Sequence, residues 1–455
     1  MTVHMDEHRR PGDPTLLLRH SNQVILAMKL KRILFATVPL DGHFSPLTGL
    51  AVHLKTLGHD VRWYVGGHYG ARVTKLGLVH YPSVKAPVIN QENMEELFPE
   101  RKKIKNPIAR ARFDVKHTFL SPIPGYVDDL MKVHEEWPFD LIVYDLACLG
   151  ALFVQELLAV KGVAVGVLPL FESESNLPSD DPRQNALTRS VVRWAKRAKI
   201  HFQFNMIMKP CSVLFNELRA RYGLPQEPGF MFDAVFRNAS LYLQSGVPGF
   251  DYPHRKLSPN VRFVGPLLPN KTNGNASFAQ ADTTLKYKRV ILVTQGTFER
   301  NVEKIIVPAL EAYKNDPETM VIVTTGGSGT EALRQRYPQP HFLIENFIDY
   351  DAVMPYASVY VTNGGYGGVM LALQHKLPIV VAGVYEGKDD IAARVRFNGV
   401  GIDLKTETPK ADQIRRAVAT ILSDNKYRRQ VQQLSEEFRS YPANQMASRY
   451  IGELV

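Results

Sequence analysis

The chain has 455 residues, of which 45% are hydrophobic and 22% charged, and its formal net charge is +10. This length accommodates two domains with full cores, and the composition excludes a disordered or fibrous protein. Two cysteines exclude a disulfide framework and favour a reducing, cytoplasmic setting. No apolar run reaches the roughly 18 residues that predict a membrane span.

The first 27 residues are polar, contain proline and lack the apolar core of a signal peptide. We expect residues 1–27 to form a disordered extension or to precede the natural start, because Met28 stands directly before the first predicted strand.

Basic residues are concentrated at Arg101–Lys116 and Arg183–Lys199. Solvated helices and loops explain such segments most simply. The functional alternative is a basic rim that attracts anionic donors, or a weak contact with an anionic membrane surface. Basic and aromatic residues do not interleave as in base-stacking modules, so no nucleic-acid partner is predicted.

The N-terminal half alternates buried strands with helices. Arg32–Val38 is a predicted strand, and the loop Pro39–Ser45 leads to a helix with Ser45 as N-cap and Pro46 as first residue. Further strands are predicted at 61–65, 141–144 and 163–168, with a helix at 151–160 and helical or loop insertions at 172–235. This alternation is typical of a doubly wound parallel sheet and predicts an α/β fold.

A polar segment rich in Asn, Gly and Pro, residues 266–285, predicts a linker. The alternation then restarts, with strands at 290–293, 320–324, 358–362 and 378–382, helices at 303–315 and 412–422, and a helical tail at 427–454 broken at Pro442. We predict an N-terminal domain at 28–265, a C-terminal domain at 286–440 and a final helix at 441–455. In such sheets the active site lies outside the carboxyl ends of the strands.

The sequence SVYVTNGGYGG, residues 358–368, passes from a buried strand through a glycine cluster into a helix that starts at about Gly367. Gly364, Gly365, Gly367 and Gly368 lack the Cβ atoms that would keep an anion away from the backbone. The unpaired N–H groups and the dipole of the following helix favour an anion there. We interpret the segment as a phosphate-binding loop; a glycine-rich turn without a ligand is the alternative.

Known phosphate motifs do not fit this loop well. A nicotinamide fingerprint that starts at Gly365 would place Met370 at its third glycine, although Glu386 lies near the distance of its ribose-binding acid. Residues 383–388, GVYEGK, are one residue short of a Walker loop and are followed by Asp389. Cys/His spacing of the zinc type is absent. A nucleotide sugar bound without metal or cofactor is the interpretation that remains.

His43 follows the first strand, in the sequence VPLDGHFSP. A neutral imidazole at the carboxyl end of a strand could deprotonate a hydroxyl nucleophile. Such a base needs a carboxylate to fix its tautomer. Asp145, directly after the strand LIVY, is the predicted partner, and Asp41 in the same loop as His43 is the rival candidate.

These features resemble the inverting, metal-independent UDP-glycosyltransferase family, and most closely its bacterial members that glycosylate macrolides and polyphenols. The resemblance covers about residues 30–440 and is sharpest at 347–395. It implies a GT-B arrangement, in which two Rossmann-like domains face each other and a C-terminal helix crosses back to the N-terminal domain. It also implies that the N-terminal domain binds the acceptor, the C-terminal domain binds the donor, and His43 is the base with Asp145 as its partner.

The resemblance assigns donor-binding roles to five further positions. Gly296 and Thr297 match a loop that meets the diphosphate. Phe347 stands where the family usually has a Trp that stacks on the base, and Ile348 offers backbone bonds to it. Asn363 occupies the position of a His that donates to the phosphate.

Three departures from the family pattern leave the donor sugar open. Leu371 stands where the family often has a ribose-binding Glu, a role that Glu386 could take over. Gly387–Lys388 replaces the acid–Gln pair that contacts the sugar hydroxyls, and Asp349–Tyr350 replaces Pro–Gln. The sequence therefore allows UDP-glucose as well as a dTDP-sugar such as dTDP-rhamnose.

An apolar acceptor pocket is predicted in the N-terminal half. Its candidate lining residues are Phe119, Phe171, Phe202, Phe204 and Met206, for which ordinary core positions are the alternative. They indicate an aromatic or lipophilic acceptor such as a flavonoid. The competing function classes are a nucleotide-sugar epimerase or related enzyme, an NAD-dependent oxidoreductase and a non-catalytic carbohydrate-binding protein.

Overall fold

The computed structural model describes residues 30–90, 93–170, 206–252, 257–270, 278–296, 299–385 and 387–454. The predicted extension at 1–27 lies outside the described residues, as do Phe171, Phe202, Phe204, Thr297, Glu386 and the middle of the predicted linker.

The described strands form two sheets. The first sheet contains β1 (Arg32–Ala36), β2 (Asp60–Tyr64), β3 (Val79–Tyr81), β4 (Leu141–Asp145), β5 (Lys161–Gly166), β6 (Leu241–Ser245) and β7 (Val261–Gly265). The second contains β8 (Arg289–Thr294), β9 (Thr319–Thr324), β10 (Phe342–Glu345), β11 (Val359–Thr362), β12 (Ile379–Val381) and β13 (Gly401–Asp403).

The α-helices of the described residues surround these sheets. In chain order they are α1 (Asp41–Thr56), α2 (Tyr69–Lys75), α3 (Met94–Leu97), α4 (Pro107–Val115), α5 (Ile123–Glu136), α6 (Leu149–Leu157), α7 (Lys209–Arg221), α8 (Asp233–Asn238), α9 (Ala281–Thr284), α10 (Ile306–Tyr313), α11 (Thr330–Arg336), α12 (Tyr350–Val353), α13 (Tyr366–Gln374), α14 (Lys388–Phe397), α15 (Ala411–Ser423), α16 (Asn425–Arg439) and α17 (Ala443–Leu454).

Both sheets are parallel and doubly wound. Their strand orders are β3-β2-β1-β4-β5-β6-β7 and β10-β9-β8-β11-β12-β13. The order reverses between β1 and β4 in the first sheet and between β8 and β11 in the second. Ligands of open α/β sheets bind outside the carboxyl ends at such reversal points. His43 and Asp145 follow β1 and end β4, while Gly296 and Asn363 follow β8 and β11, so each predicted site lies at a reversal point.

Alternate residues of each central strand face opposite helical layers. In β1, Leu34 and Ala36 belong to one apolar cluster, whereas Ile33 and Phe35 belong to another on the opposite face. The second sheet is likewise covered by apolar clusters on both faces. Burial of both faces explains why the strands are continuous apolar runs.

The two sheets meet with their carboxyl ends facing each other. Tyr366, which stands between the glycines of the loop and begins α13, donates from its hydroxyl to the carbonyl oxygen of Ser245 at 2.6 Å. Ser245 ends β6 of the other sheet. This contact confirms the predicted facing of two parallel-sheet domains.

The C-terminal helix crosses back as predicted. The chain breaks at Pro442, and α17 then lies against α1 of the first domain. Ala447 and Ile451 are buried in the same apolar cluster as β1 side chains, and Ser448 Oγ lies 3.3 Å from Nε2 of His53. In the described part of the chain, no helix has the length and apolar character needed to cross a bilayer.

Candidate functional site

His43 lies in the first turn of a helix and not in a loop. The prediction that this helix begins at Pro46 was wrong, because α1 begins at Asp41 and contains Pro46 in its interior. The N–H groups of His43 and Phe44 both donate to the carbonyl oxygen of Leu40, at 3.0 and 2.9 Å, and these bonds start the helix one turn early. The helix start therefore fixes the position of the His43 backbone at the end of β1.

The side chains of His43 and Asp145 are in contact, and we call this pair the dyad. Nδ1 of His43 lies 2.9 Å from Oδ1 of Asp145; the Asp145 side chain is fully buried, and that of His43 is 14% exposed. Asp145 also accepts from the N–H of Val38 through Oδ2 and from the N–H of Ala147 through Oδ1, both at 2.8 Å. An ionised carboxylate only accepts hydrogen bonds, so we assign the hydrogen to Nδ1 of His43 and a free lone pair to its Nε2.

Two titratable neighbours of this pair remain protonated near neutral pH. Burial raises the pKa of the Cys148 thiol well above its ordinary value, and the negative charge of Asp145 adds to this effect. Burial also raises the pKa of the Tyr126 hydroxyl, with smaller contributions from Cys148 and Asp145. Neither group is therefore a base or an anionic nucleophile that competes with His43.

Asp41, the rival partner, forms an ion pair with Arg72 instead. Arg72 also donates to the hydroxyl of Ser45 at 2.8 Å, and its guanidinium lies 4.8 Å from the ring centroid of Phe44. Asp41 and Arg72 thus connect the first turn of α1 to α2, and Asp41 takes no part in the contact between His43 and Asp145.

The glycines of the phosphate-loop candidate have different surroundings. Gly364 has φ +86°, and a Cβ there would lie 2.7 Å from Cγ1 of Val381, so only glycine fits without strain. A Cβ at Gly368 would lie 2.9 Å from the Tyr360 hydroxyl, which assigns Gly368 to packing against the sheet. Nothing lies within 4 Å of a Cβ at Gly367, and at Gly365 only Oδ1 of Asn363 does, at 3.7 Å. Gly365 and Gly367 therefore face the open side of the loop.

Asn363 joins the loops that follow β8 and β11. It is 5% exposed, and its side-chain amide donates to the carbonyl oxygen of Gln295. Its Oδ1 accepts from the N–H of Gly365 at 3.3 Å. Gly296 has φ +78°, and a Cβ there would lie 3.0 Å from the Asn363 amide nitrogen. The structure thus brings Gly296, Asn363 and Gly365 together, while Thr297 lies outside the described residues.

No side chain caps the start of α13, whose N-cap is Gly365. The first backbone N–H groups of this helix therefore remain available to an anion beside Gly367. Lys388 is the first residue of α14. Its Cβ lies 3.2 Å from a Cβ built on Gly383 and 3.9 Å from a Cβ built on Gly364. The cationic side chain of Lys388 therefore begins beside the glycine loop.

Phe347 and Ile348 follow β10 at the same edge of the sheet. Phe347 is 72% exposed, and its ring edge lies 3.9 Å from a Cβ built on Gly327, whereas Ile348 packs against the domain core. An exposed ring of this kind is suited to stack on a flat ligand.

Of the predicted acceptor residues, the structure describes Phe119 and Met206. Phe119 packs on the N-terminal core, where its ring meets Phe232 edge-on at 5.9 Å. Met206 is 55% exposed. Phe171, Phe202 and Phe204 lie outside the described residues, so the acceptor pocket stays a prediction.

Comparison with known proteins decides the family. A model of the C-terminal domain of erythromycin biosynthesis protein CIII-like proteins matches residues 317–454. The 4'-demethylrebeccamycin synthase of Lentzea aerocolonigenes is 32% identical over 424 residues, which cover 90% of this chain and 96% of that protein. The chain belongs to the UDP-glycosyltransferases, glycosyltransferase family 1.

Further relatives agree with this assignment. UDP-glucosyltransferase A1 of Starmerella bombicola is 27% identical over 434 residues, covering 93% of this chain and 92% of that protein. The crystal structure of the glycotransferase of kitacinnamycin matches with a TM-score of 0.72 at 20% identity, covering 94% and 99% of the two chains. This structural likeness confirms the predicted GT-B fold of the glycosyltransferase.

Sequence patterns missed the contacts that join the domains of this glycosyltransferase. No role was predicted for Tyr366 or Arg394. Their partners Ser245 and Asp251 are 121 and 143 residues away, and no local signal announces such pairs.

Other potential sites are weak. Within the described ranges, no group of three His, Cys, Asp or Glu side chains could hold a metal ion. A pocket lined by Ser358, His375, Pro378 and Arg428 lies at the amino ends of β11 and β12, on the opposite edge of the sheet from the glycine loop.

The open side of Gly367 gives a first prediction. We expect Gly367→Ala to weaken nucleotide binding at least about tenfold, because the added methyl group would occupy the approach of the phosphate. Its melting temperature should not fall, since the methyl group meets no protein atom and alanine favours a helix by about 1 kcal/mol. Calorimetric titration with UDP and dTDP, together with thermal unfolding, measures both effects.

Gly368→Ala is the matched control for Gly367→Ala. Its methyl group would meet the buried Tyr360 hydroxyl, so we expect a lower melting temperature. Unchanged nucleotide affinity in Gly367→Ala would contradict the assignment of the glycine loop to the donor site.

Phe347 gives a second prediction. We expect Phe347→Ala to weaken nucleotide binding by about 1–3 kcal/mol, the usual contribution of an aromatic ring stacked on a base. Stability should be unchanged because the ring is largely exposed. Leu285→Ala, which truncates a side chain that is 77% exposed, is the control. Equal affinities in Phe347→Ala, Leu285→Ala and the parent protein would contradict stacking.

Proposed function

We propose that this glycosyltransferase transfers a sugar from a nucleoside diphosphate sugar to a hydroxyl group of a small aromatic or lipophilic acceptor, with inversion and without metal. The observation that carries the proposal is the pairing of His43 with the buried Asp145 at the reversal point of the first sheet. The glycine loop follows β11, at the reversal point of the second sheet. The family membership supports the class of reaction, and the dyad supports a hydroxyl acceptor.

In the proposed reaction, the acceptor hydroxyl donates to Nε2 of His43 and attacks the anomeric carbon. The C–O bond to the nucleoside diphosphate breaks on the opposite face of the sugar as the new C–O bond forms. His43 takes the hydroxyl proton, and Asp145 stabilises the imidazolium through the Nδ1 hydrogen bond. The diphosphate leaves with the electron pair of the broken bond.

The leaving group needs stabilisation of its developing charge. The uncapped N–H groups of α13, the second amide hydrogen of Asn363 and the charge of Lys388 are the donors that we propose for this role. Preorganised donors of this kind contribute about 10²-fold or more each to the rate.

The donor of this enzyme is proposed to be UDP-glucose or a dTDP-sugar of the rhamnose type. The name of the Starmerella relative, a UDP-glucosyltransferase, supports UDP-glucose. The replacement of the acid–Gln pair by Gly387–Lys388 supports a different sugar, because a lysine cannot accept hydrogen bonds from sugar hydroxyls.

The membrane contact considered from the sequence gains no support. In the first basic segment, Arg101 forms a two-pronged ion pair with Asp114 at 2.6 and 2.9 Å, and Lys102 pairs with Glu95 at 2.9 Å. The carboxylates neutralise part of the charge that would attract an anionic surface. The second basic segment, Arg183–Lys199, lies outside the described residues.

The anomeric configuration of the product tests the mechanism. With α-linked UDP-glucose and a phenolic acceptor, NMR of the product should show a β-glycoside, because a single displacement inverts the anomeric carbon. An α-glycoside would contradict the single displacement. Conversion of the donor in the absence of any acceptor would instead favour an epimerase, and hydride exchange with NAD would favour an oxidoreductase.

A further inference from the structure

The segment that starts at the last residue of β6, residues 245–252, makes close contacts with the opposite domain. Val247 and Phe250 are each 1% exposed and belong to the apolar cluster of the second sheet, although β6 itself belongs to the first. The N–H of Gly249 donates to Glu437 at 2.9 Å, and the amide of Asn398 donates to the carbonyl oxygen of Phe250 at 2.8 Å. We call this segment the interdomain strap.

A buried ion pair ends the interdomain strap. Arg394 of α14 contacts Oδ1 of Asp251 through Nε and Nη2, both at 2.8 Å, and the two side chains are each 3% exposed. The same guanidinium donates to the carbonyl oxygen of Leu170 at 3.2 Å and lies 4.2 Å from the ring centroid of Tyr252. Burial acts to lower the pKa of Arg394, but the carboxylates of Asp251 and Asp390 outweigh it and raise that pKa.

Asp251 in turn connects two loops at the carboxyl edge of the first sheet. Its Oδ2 accepts from the N–H of Leu170, after β5, at 3.2 Å, and its Oδ1 accepts from the N–H of Tyr252 at 2.8 Å. β5 pairs directly with β4, which carries Asp145. On the other side, α14 starts at Lys388 beside the glycine loop, and Arg394 follows about two helical turns later. The ion pair therefore joins the helix of the donor site to the sheet of the dyad.

We propose that Arg394 and Asp251 are positioning residues that hold the donor-binding domain at the distance and angle from His43 that transfer requires. This inference rests on the proposed function for its effect on turnover, but not for its effect on domain geometry. The contacts of the pair described above lie outside the glycine loop and the dyad, so we expect its removal to leave nucleotide affinity intact and to lower kcat. A displacement of about 1 Å between reacting groups can cost about 10²-fold in rate.

The test compares three variants of the full chain. Arg394→Met removes the cation, and Arg394→Met/Asp251→Asn also removes the buried carboxylate that would lose its partner. Asp390, the second carboxylate that pairs with Arg394, keeps contact with water because its side chain is 47% exposed. Arg396→Met is the matched control, because Arg396 lies on the same helix but pairs with Asp403 inside the C-terminal domain. Nitroxide labels at Lys132→Cys and Glu331→Cys, side chains that are 74% and 76% exposed, report the distance between the domains by pulsed electron paramagnetic resonance.

We expect a single narrow distance distribution in the parent and in Arg396→Met, and a broadened distribution in both Arg394 variants. We also expect kcat to fall about 10²-fold in both Arg394 variants, with the nucleotide Kd within about twofold of the parent. A purely stabilising ion pair predicts a different result: the double variant would regain the parent's distance distribution and kcat. That result would overturn the proposal.

Failure of the proposed function would look different again. A parent protein that binds nucleotide but transfers no sugar would contradict the assigned reaction, while the distance distributions would still support or overturn the role of the ion pair.

Discussion

Replacement of His43 by alanine is expected to lower kcat by about 10²–10⁴-fold, the usual contribution of a positioned general base. Nucleotide affinity should stay within about twofold of the parent, because His43 lies in the N-terminal domain and the proposed nucleotide site lies in the other. Assays of product formation measure kcat, and calorimetric titration with UDP or dTDP measures nucleotide affinity separately.

His68→Ala is the control for His43→Ala, since His68 is an exposed histidine of the same domain that stacks on Tyr69. It should behave as the parent protein. Simultaneous loss of transfer and of nucleotide binding in His43→Ala would contradict the separation of roles between the domains. Residual activity on phenols would not, because phenols ionise near pH 10 and are partly activated without a base.

Asp145→Asn is expected to lower kcat by about 10⁴-fold, as in other enzymes whose buried aspartate fixes the tautomer of a histidine base. An asparagine can keep the bonds from Ala147 and His43, or the bond from Val38, but not all three, because its NH₂ group donates. If the NH₂ group faces His43, Nδ1 becomes the acceptor and Nε2 carries the hydrogen. The lone pair that the acceptor hydroxyl needs is then lost.

The same substitution should cost about 1–3 kcal/mol of stability, because one buried N–H group loses its acceptor. ¹⁵N NMR of the imidazole reports the tautomer directly, with the hydrogen on Nδ1 in the parent and on Nε2 in variant molecules whose NH₂ group faces His43. Asp41→Asn is the matched control; its carboxylate pairs with Arg72, so we expect parent-like kcat. A larger loss of kcat in Asp41→Asn than in Asp145→Asn would indicate that Asp41, and not Asp145, is the partner of His43.

The central strands and the position of the dyad were predictable because local signals define them. The apolar runs at β1, β4, β8 and β11 are buried on both faces, and the polar residues at their carboxyl ends mark the candidate site. The start of α1 was not predictable in this way. Proline usually occupies the first turn of a helix, yet in α1 the bonds from His43 and Phe44 to Leu40 place Pro46 one turn inside.

Short edge strands and interdomain contacts were missed for a different reason. β3 and β13 have three residues each and are only partly buried, so neither forms an apolar run like the equally short β12, which was predicted. The contacts of Tyr366 and Arg394 depend on how the two domains pack together, so the sequence next to these residues does not predict their partners. The different surroundings of Gly367 and Gly368 were also not predictable from the sequence. Only the folded structure shows that Gly368 packs against Tyr360 while Gly367 faces open space.

Mass spectrometry of a polyphenol panel incubated with UDP-glucose or dTDP-rhamnose tests the central claim most directly. We predict that at least one acceptor gains the mass of one hexose or one deoxyhexose, and that the gain disappears in His43→Ala. No gain with either donor, in protein that still binds UDP or dTDP, would contradict transfer to an aromatic hydroxyl and leave only the fold and the nucleotide site.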